Sequence, residues 1–194
     1  MFIAQSAAKA FSIAVGMVRP TVRPVQRHMP IDRMANWTIP GFLGQARVLT
    51  AFGAIPIELL RVNDPVRTVT GRILYVRRIQ RVGLDDGFLG RHPEAQPIKI
   101  ATDAFAQGYP EQDLYLSPGQ ELSVALGNAP AQRIRAGDIQ GNSAVTSAPQ
   151  EALVYYSIEL SESAYVYVEG VPALILSTPS VQQDEDEYDE DFDA

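Results

Sequence analysis

Between residues 37 and 180 the chain never runs long without a turn residue. Short stretches rich in β-branched and aromatic residues are cut repeatedly by Gly, Pro, Asn and Asp. Residues 66–69 are bounded by Asp64-Pro65 and Thr70-Gly71. Residues 73–82 end at Gly83, and Asp85-Asp86-Gly87 reads as a turn. Residues 98–100 alternate, as do residues 122–126. Between 154 and 160, Val154, Tyr156, Ile158 and Leu160 form one face against Tyr155, Ser157 and Glu159. Residues 165–168 make a further strand, turned by Glu169-Gly170. A period of two with little helical periodicity predicts an all-β sandwich or barrel-like fold of many short strands, each with one buried and one solvated face.

The two ends differ from this middle. Residues 1–36 carry Lys9, Arg19, Arg23, Arg27 and Arg33, with no acid before Asp32. Residues 7–18 are mostly small and apolar and form a short helix at most, because Pro20 stops it. The segment reads as a basic docking arm, flexible or short-helical. A targeting segment is the competing reading, but no small-x-small cleavage site follows the apolar stretch. At the other end, residues 181–194 form an acidic tail. Eight of the 23 acids lie in residues 184–193, and without them the chain has 15 acids against 16 bases. The net charge of −7 therefore belongs to the tail. Like charges at that density repel and predict disorder. A calcium loop needs a Gly-based turn and spaced ligands, which this run lacks.

The chain has no cysteine and only two histidines, His28 and His92. That excludes disulfides, thiol nucleophiles and cysteine-ligated clusters, and it argues against a histidine metal site; no metal and no cofactor is expected. Gly83, Gly87 and Gly90 are followed by no Gly-Lys-Ser/Thr and read as turn glycines rather than a phosphate loop. Ser117-Pro118-Gly119 lacks the context of a hydrolase nucleophile elbow. No apolar run approaches the roughly 20 residues of a membrane-crossing helix, and the compartment stays open. The densest basic stretch holds Arg72, Arg77, Arg78 and Arg81. On a regular strand Arg77 and Arg81 share one face and Arg72 and Arg78 the other. With no aromatic platform between them, that argues against nucleic acid.

The segment Gly41-Phe42-Leu43-Gly44-Gln45-Ala46-Arg47-Val48 resembles the opening of Hedgehog/intein (Hint) domains, which runs Cys-Phe-x-Gly-x-Ala-x-Val. The likeness continues through Thr50, Gly53, Pro56-Ile57-Glu58, Leu60, Asp64, Val66, Thr68 and Gly71, a succession similar to that of bacterial Hint-like proteins. Asn63 stands where those have glycine, and Asn tolerates the left-handed backbone that a turn needs. Residues 97–100 and 113–118 look like the second block of the family, and residues 156–160 and 168–173 like its closing strands. The resemblance implies a compact, horseshoe-like β-fold with pseudo-twofold-related halves over residues 37–180. It also makes Asp64 a turn residue rather than half of a carboxylate pair with Glu58.

Hint chemistry begins with an acyl shift onto a thiol or hydroxyl at the first residue of the domain. That position here is Gly41, which has no side chain to attack with. The block Thr-x-x-His of the family corresponds to Ser117-Pro118-Gly119-Gln120, and Gln120 cannot shuttle a proton near neutral pH. Ser163 stands where many bacterial relatives carry another histidine. The degenerate positions are thus Gly41, Ser117, Gln120 and Ser163. His92 reads as a surface histidine in a loop. The expectation is a non-catalytic scaffold that binds another protein or a second copy, with Arg19, Arg23, Arg27, Arg77 and Arg81 as candidate contacts. Two alternatives stand beside it: a self-processing domain that uses a hydroxyl such as Thr38, Thr50 or Ser117, and a β-fold that binds a small ligand.

Overall fold

A computed structural model describes residues 37–139 and 143–177. The arm with Arg19, Arg23 and Arg27 and the acidic tail lie outside the described residues. The strands are β1 (Phe42–Leu43), β2 (Arg47–Thr50), β3 (Gly53–Pro56), β4 (Pro65–Arg67), β5 (Ile73–Leu84), β6 (Ile98–Ile100) and β7 (Leu114–Leu116). They continue with β8 (Glu121–Val124), β9 (Gln132–Arg135), β10 (Val145–Ser147), β11 (Leu153–Leu160), β12 (Ala164–Val168) and β13 (Val171–Ile175). They pair antiparallel in the order β10-β6-β7-β1-β11-β5-β4-β2-β12-β13-β8-β9, with β3 added on β2. The all-β class expected from the alternation holds, and the sheet is curled.

The longest ladder pairs β5 with β11, from Leu153 against Leu84 to Leu160 against Val76. Its two halves bury opposite faces. Leu74, Val76, Ile158 and Leu160 enter the main core with Phe42, Val48, Leu116, Val166 and Val168. Leu84, Leu153 and Tyr155 enter a smaller core with Leu89 and Ala95. This corrects the face assignment for residues 154–160. Val154 is 40% exposed, Tyr155 is 1% exposed, and the buried side switches between Tyr155 and Ile158. Periodicity cannot anticipate the switch, because both faces of the strand find an apolar neighbour.

A second correction concerns residues 85–91. Asp85 caps a short helix, α1 (Asp86–Arg91), by accepting the Phe88 N–H at 2.7 Å. Capping by an Asp side chain satisfies a donor that helix formation would otherwise orphan, so Asp-Asp-Gly starts a helix here instead of a turn. Gly87 and Gly90 lie inside α1 and Gly83 lies in β5, so none is a turn glycine. A third correction is the register of the basic stretch. Arg78 faces Glu159 while Val76 faces Leu160, so Arg77 sits in a bulge with no residue opposite. That extra residue breaks the alternation that placed Arg77 and Arg81 on one face.

Other turn readings hold. Asn63 has φ 73°, in the left-handed region, and the Asp64 carboxylate accepts the Arg61 N–H at 2.8 Å. Glu169 and Gly170 have φ 48° and 79° and join β12 to β13 with Val168 opposite Val171, the backbone of a tight two-residue hairpin.

Candidate functional site

Gly41 directly precedes β1, which lies between β11 and β7. Phe42 pairs with Tyr156 on one side and with Leu116 on the other. Gly41 is buried, and a Cβ built on it would stand 3.0 Å from the Tyr155 Cβ and 3.3 Å from the Tyr156 carbonyl oxygen. A side chain at this position requires Tyr155, in the smaller core, to give by a few tenths of an ångström.

Ser117 follows β7 and is fully buried. Its N–H donates to the Gly41 carbonyl at 2.9 Å, and its hydroxyl donates to the Ile39 carbonyl at 2.5 Å while accepting the Gly119 N–H at 3.2 Å. One serine thus holds the main chain on both sides of Pro40. Gly119 completes the seat. A Cβ there would lie 2.5 Å from the Thr38 carbonyl carbon and 2.8 Å from the Trp37 and Thr38 oxygens, so only glycine lets residues 37–38 lie against this turn. The sequence reading missed that role. A glycine directly after Ser-Pro was its only signal.

Gln120 is 1% exposed. Its side-chain amide donates to the carbonyls of Glu121 at 3.0 Å and Leu174 at 2.9 Å, tying the turn to β13. Both acceptors are main-chain carbonyls of half-buried residues. Thr38, Pro40, Gly119, Gln120, Arg133 and Leu176 line an open cleft of about 320 Å³. Arg133 is paired there with Glu121, at 2.5 Å.

Ser163 does not join this group. Its hydroxyl lies 3.2 Å from that of Ser177 and accepts the Ser177 N–H at 2.9 Å, and it lines a separate cleft with Thr68, Arg72 and Tyr165. The Thr50 hydroxyl is used in its own turn, donating to the Gly53 carbonyl at 2.7 Å and accepting the Phe52 N–H at 3.0 Å. His92 sits at the C-terminal end of α1, its ring 4.4 Å from that of Phe88 and its Nδ1 3.1 Å from the Glu94 carboxylate. That bond, with the Glu94 main-chain contact ahead of it as the larger cause, holds the Glu94 carboxyl below its ordinary range. The structure therefore brings Gly41, Ser117 and Gln120 together and leaves Ser163, Thr50 and His92 elsewhere.

The chemistry of the cluster follows from its groups. Ser117 polarises the Ile39 carbonyl by donating to it, and Gln120 donates two neutral hydrogen bonds. Among the described residues, no histidine lines the cleft and no group of three or more acids or histidines is placed to hold a metal ion. A larger cleft of about 480 Å³ lies between Gln45, Gln112, Tyr115, Gln150 and Tyr156. Two of its acids are neutralised within the protein, Asp113 by Lys99 and Glu169 by Arg47.

The family described as the Hint domain matches residues 40–175 of the chain. Among solved structures, the chain is similar to a bacterial intein-like domain from Clostridium thermocellum, with 10% identity, 72% of this chain and 100% of that one covered, and a TM-score of 0.47. It is also similar to the gp41-1 intein, with 11% identity, coverage of 70% and 98%, and a TM-score of 0.45. A DnaB intein from Synechocystis sp. PCC 6803 gives 8% identity, coverage of 70% and 97%, and a TM-score of 0.45. No curated protein matches the sequence.

Proposed function

Since the chain belongs to the Hint domain family, we propose that it keeps the family's frame without its self-splicing chemistry and serves as a scaffold that binds another protein. The observation that carries this reading is the use made of the two key positions. Gly41 offers no nucleophile and has no room for one without moving Tyr155, and the side-chain amide of Gln120 is spent on two main-chain carbonyls. Nucleophilic catalysis needs a nucleophile and a base within hydrogen-bond reach of each other. Among the described residues, the cleft's one hydroxyl, on Thr38, makes no hydrogen bond to its one carboxylate, on Glu121, which is paired with Arg133 instead. A retained fold with basic and acidic ends fits a docking role better than a reaction.

Intact-mass measurement of the untagged protein from its native source tests the proposal, with co-purifying proteins identified in the same run. A full-length mass with a stoichiometric companion is expected. A mass corresponding to scission between Pro40 and Gly41 would overturn it.

The second reading, self-processing with a hydroxyl, has one observation in its favour. The Ser117 hydroxyl donates to the Ile39 carbonyl at 2.5 Å and would stabilise negative charge developing on that oxygen, so the cut it would favour lies between Ile39 and Pro40, one bond before Gly41. It predicts fragments in the parent protein that Ser117→Ala abolishes.

A further inference from the structure

The outer face of the β4–β5 hairpin combines features that a solvated strand rarely holds together. Ile73 and Tyr75 alternate with buried Leu74 and Val76, so both point outward, and they are 37% and 48% exposed. Across the ladder Arg67 faces Ile73 and Pro65 faces Tyr75. Arg77 follows in the bulge, exposed and without a residue opposite. The neighbouring acids Glu159 and Glu162 are already paired, with Arg78 at 3.6 Å and with Arg72. Among the described residues, Arg67 and Arg77 have no ion-pair partner. The face is thus an aromatic and aliphatic strip flanked by two uncompensated cations.

The same chain carries a segment of complementary chemistry. Residues 184–193 read Asp-Glu-Asp-Glu-Tyr-Asp-Glu-Asp-Phe-Asp, with eight acids and two aromatics, Tyr188 and Phe192, four positions apart. The chain also leaves the fold close to the strip. Ser177 bridges Leu160, and Leu160 pairs with Val76, the neighbour of Tyr75. Two inter-strand steps amount to about 10 Å. The six residues 178–183 span up to about 20 Å when extended. Tethering over so short a linker gives an effective concentration of about millimolar, enough for a contact built from exposed ion pairs and aromatic packing.

We propose that the outer face of β4–β5 is a docking surface for an acidic–aromatic peptide, and that its resident occupant is residues 184–193 of the same chain. Tyr188 and Phe192 pack on Tyr75 and Ile73, and the flanking carboxylates face Arg67 and Arg77. This inference does not depend on the scaffold reading. It holds equally for a self-processing domain.

The chain has no cysteine, so Ala194→Cys gives a single site for a nitroxide label on the otherwise full-length protein. Amide intensities are compared between the oxidised and reduced label. The proposal expects Arg67, Ile73 and Tyr75 to lose most of their intensity while α1 keeps its own. It also expects recovery in salt of about 1 M, where screening acts over about 3 Å, and recovery in the exposed double variant Arg67→Glu with Arg77→Glu. Tyr75→Ala, which leaves the charges in place, should restore part of the intensity. Uniform broadening, or broadening centred on Arg133 and Arg135 instead, would overturn the proposal. A mixture of unlabelled nitroxide-bearing chains with isotope-labelled chains free of nitroxide completes the test. Selective loss there equal to that in the single-chain sample would assign the tail to a second copy and refute the intramolecular contact.

Discussion

Arg47 and Glu169 close on each other across the β2–β12 ladder. The Arg47 Nη2 lies 2.6 Å from Oε2, its Nε donates to both carboxylate oxygens at 3.0 and 3.1 Å, and its main-chain N–H donates to Oε1 at 2.9 Å. Glu169 is 4% exposed, and its side-chain bonds, followed by its charge, hold the Arg47 guanidinium above its ordinary pKa. Glu169 does this from a left-handed backbone, which favours Gly or Asn.

Two preferences therefore compete at position 169. Glu169→Asn suits the turn better but is too short to hold Arg47 in the same way. Arg47 is 28% exposed and keeps Glu111 at 3.2 Å, so losing Glu169 costs about 1.5–3 kcal/mol, as for hydrogen bonds to a charged group, against roughly 1 kcal/mol for easing the backbone. The variant is expected to be destabilised by about 1 kcal/mol in urea unfolding. A stabilised variant would mean that the turn outweighs the ion pair.

Gln120→His restores the family's residue but not its partner at Gly41. It removes a side-chain amide that satisfies the Glu121 and Leu174 carbonyls. A loss of about 1–3 kcal/mol in stability is expected. The intact mass should stay unchanged over days of incubation. Fragments appearing at Gly41 would show that a histidine alone revives the reaction.

Gly119→Ala and Gly90→Ala make a matched pair. At Gly119 the new methyl meets the Thr38 main chain at 2.5 Å, while at Gly90 nothing lies within 4 Å. Overpacking predicts a loss of about 1–3 kcal/mol for the first. Helix propensity predicts a gain of up to about 1 kcal/mol for the second. Urea midpoints measured side by side check both.

Tyr155 supplies a pH dependence. Its hydroxyl donates to the Ala95 carbonyl at 2.9 Å, and burial pushes its pKa above the ordinary phenol value. The folded state therefore keeps a proton that the unfolded chain gives up. The stability contribution is complete below about pH 10 and falls as pH rises beyond it. Tyr155→Phe should be less stable by about 1–3 kcal/mol at neutral pH, through the orphaned carbonyl. The gap to the parent should narrow above about pH 10 when unfolding midpoints are compared.

The sequence revealed features set by neighbours along the chain. Asn63 and Glu169-Gly170 announced their turns, and the short alternating runs announced the β class. Features set by neighbours in space were hidden. β11 changes its buried side because α1 covers one half of the ladder and the main core the other, and no period in residues 153–160 encodes that. Asp85 looked like a turn residue because capping and turning use the same side-chain chemistry; only the following residues packing as Leu89 and Phe88 do decides between them. At the site, Gly41 and Gln120 were visible as substitutions in a family pattern. The grip of Ser117 on Ile39 was not, because it joins residues 78 positions apart.

That grip changes what a break in the chain would look like. Ser117 holds the carbonyls of Ile39 and Gly41, and Gly119 receives Thr38, yet none of these contacts passes through the bond between Pro40 and Gly41. Severing that bond would break none of these contacts, so the two pieces would still meet at Ser117 and Gly119, and a nick there is read from the mass after denaturation.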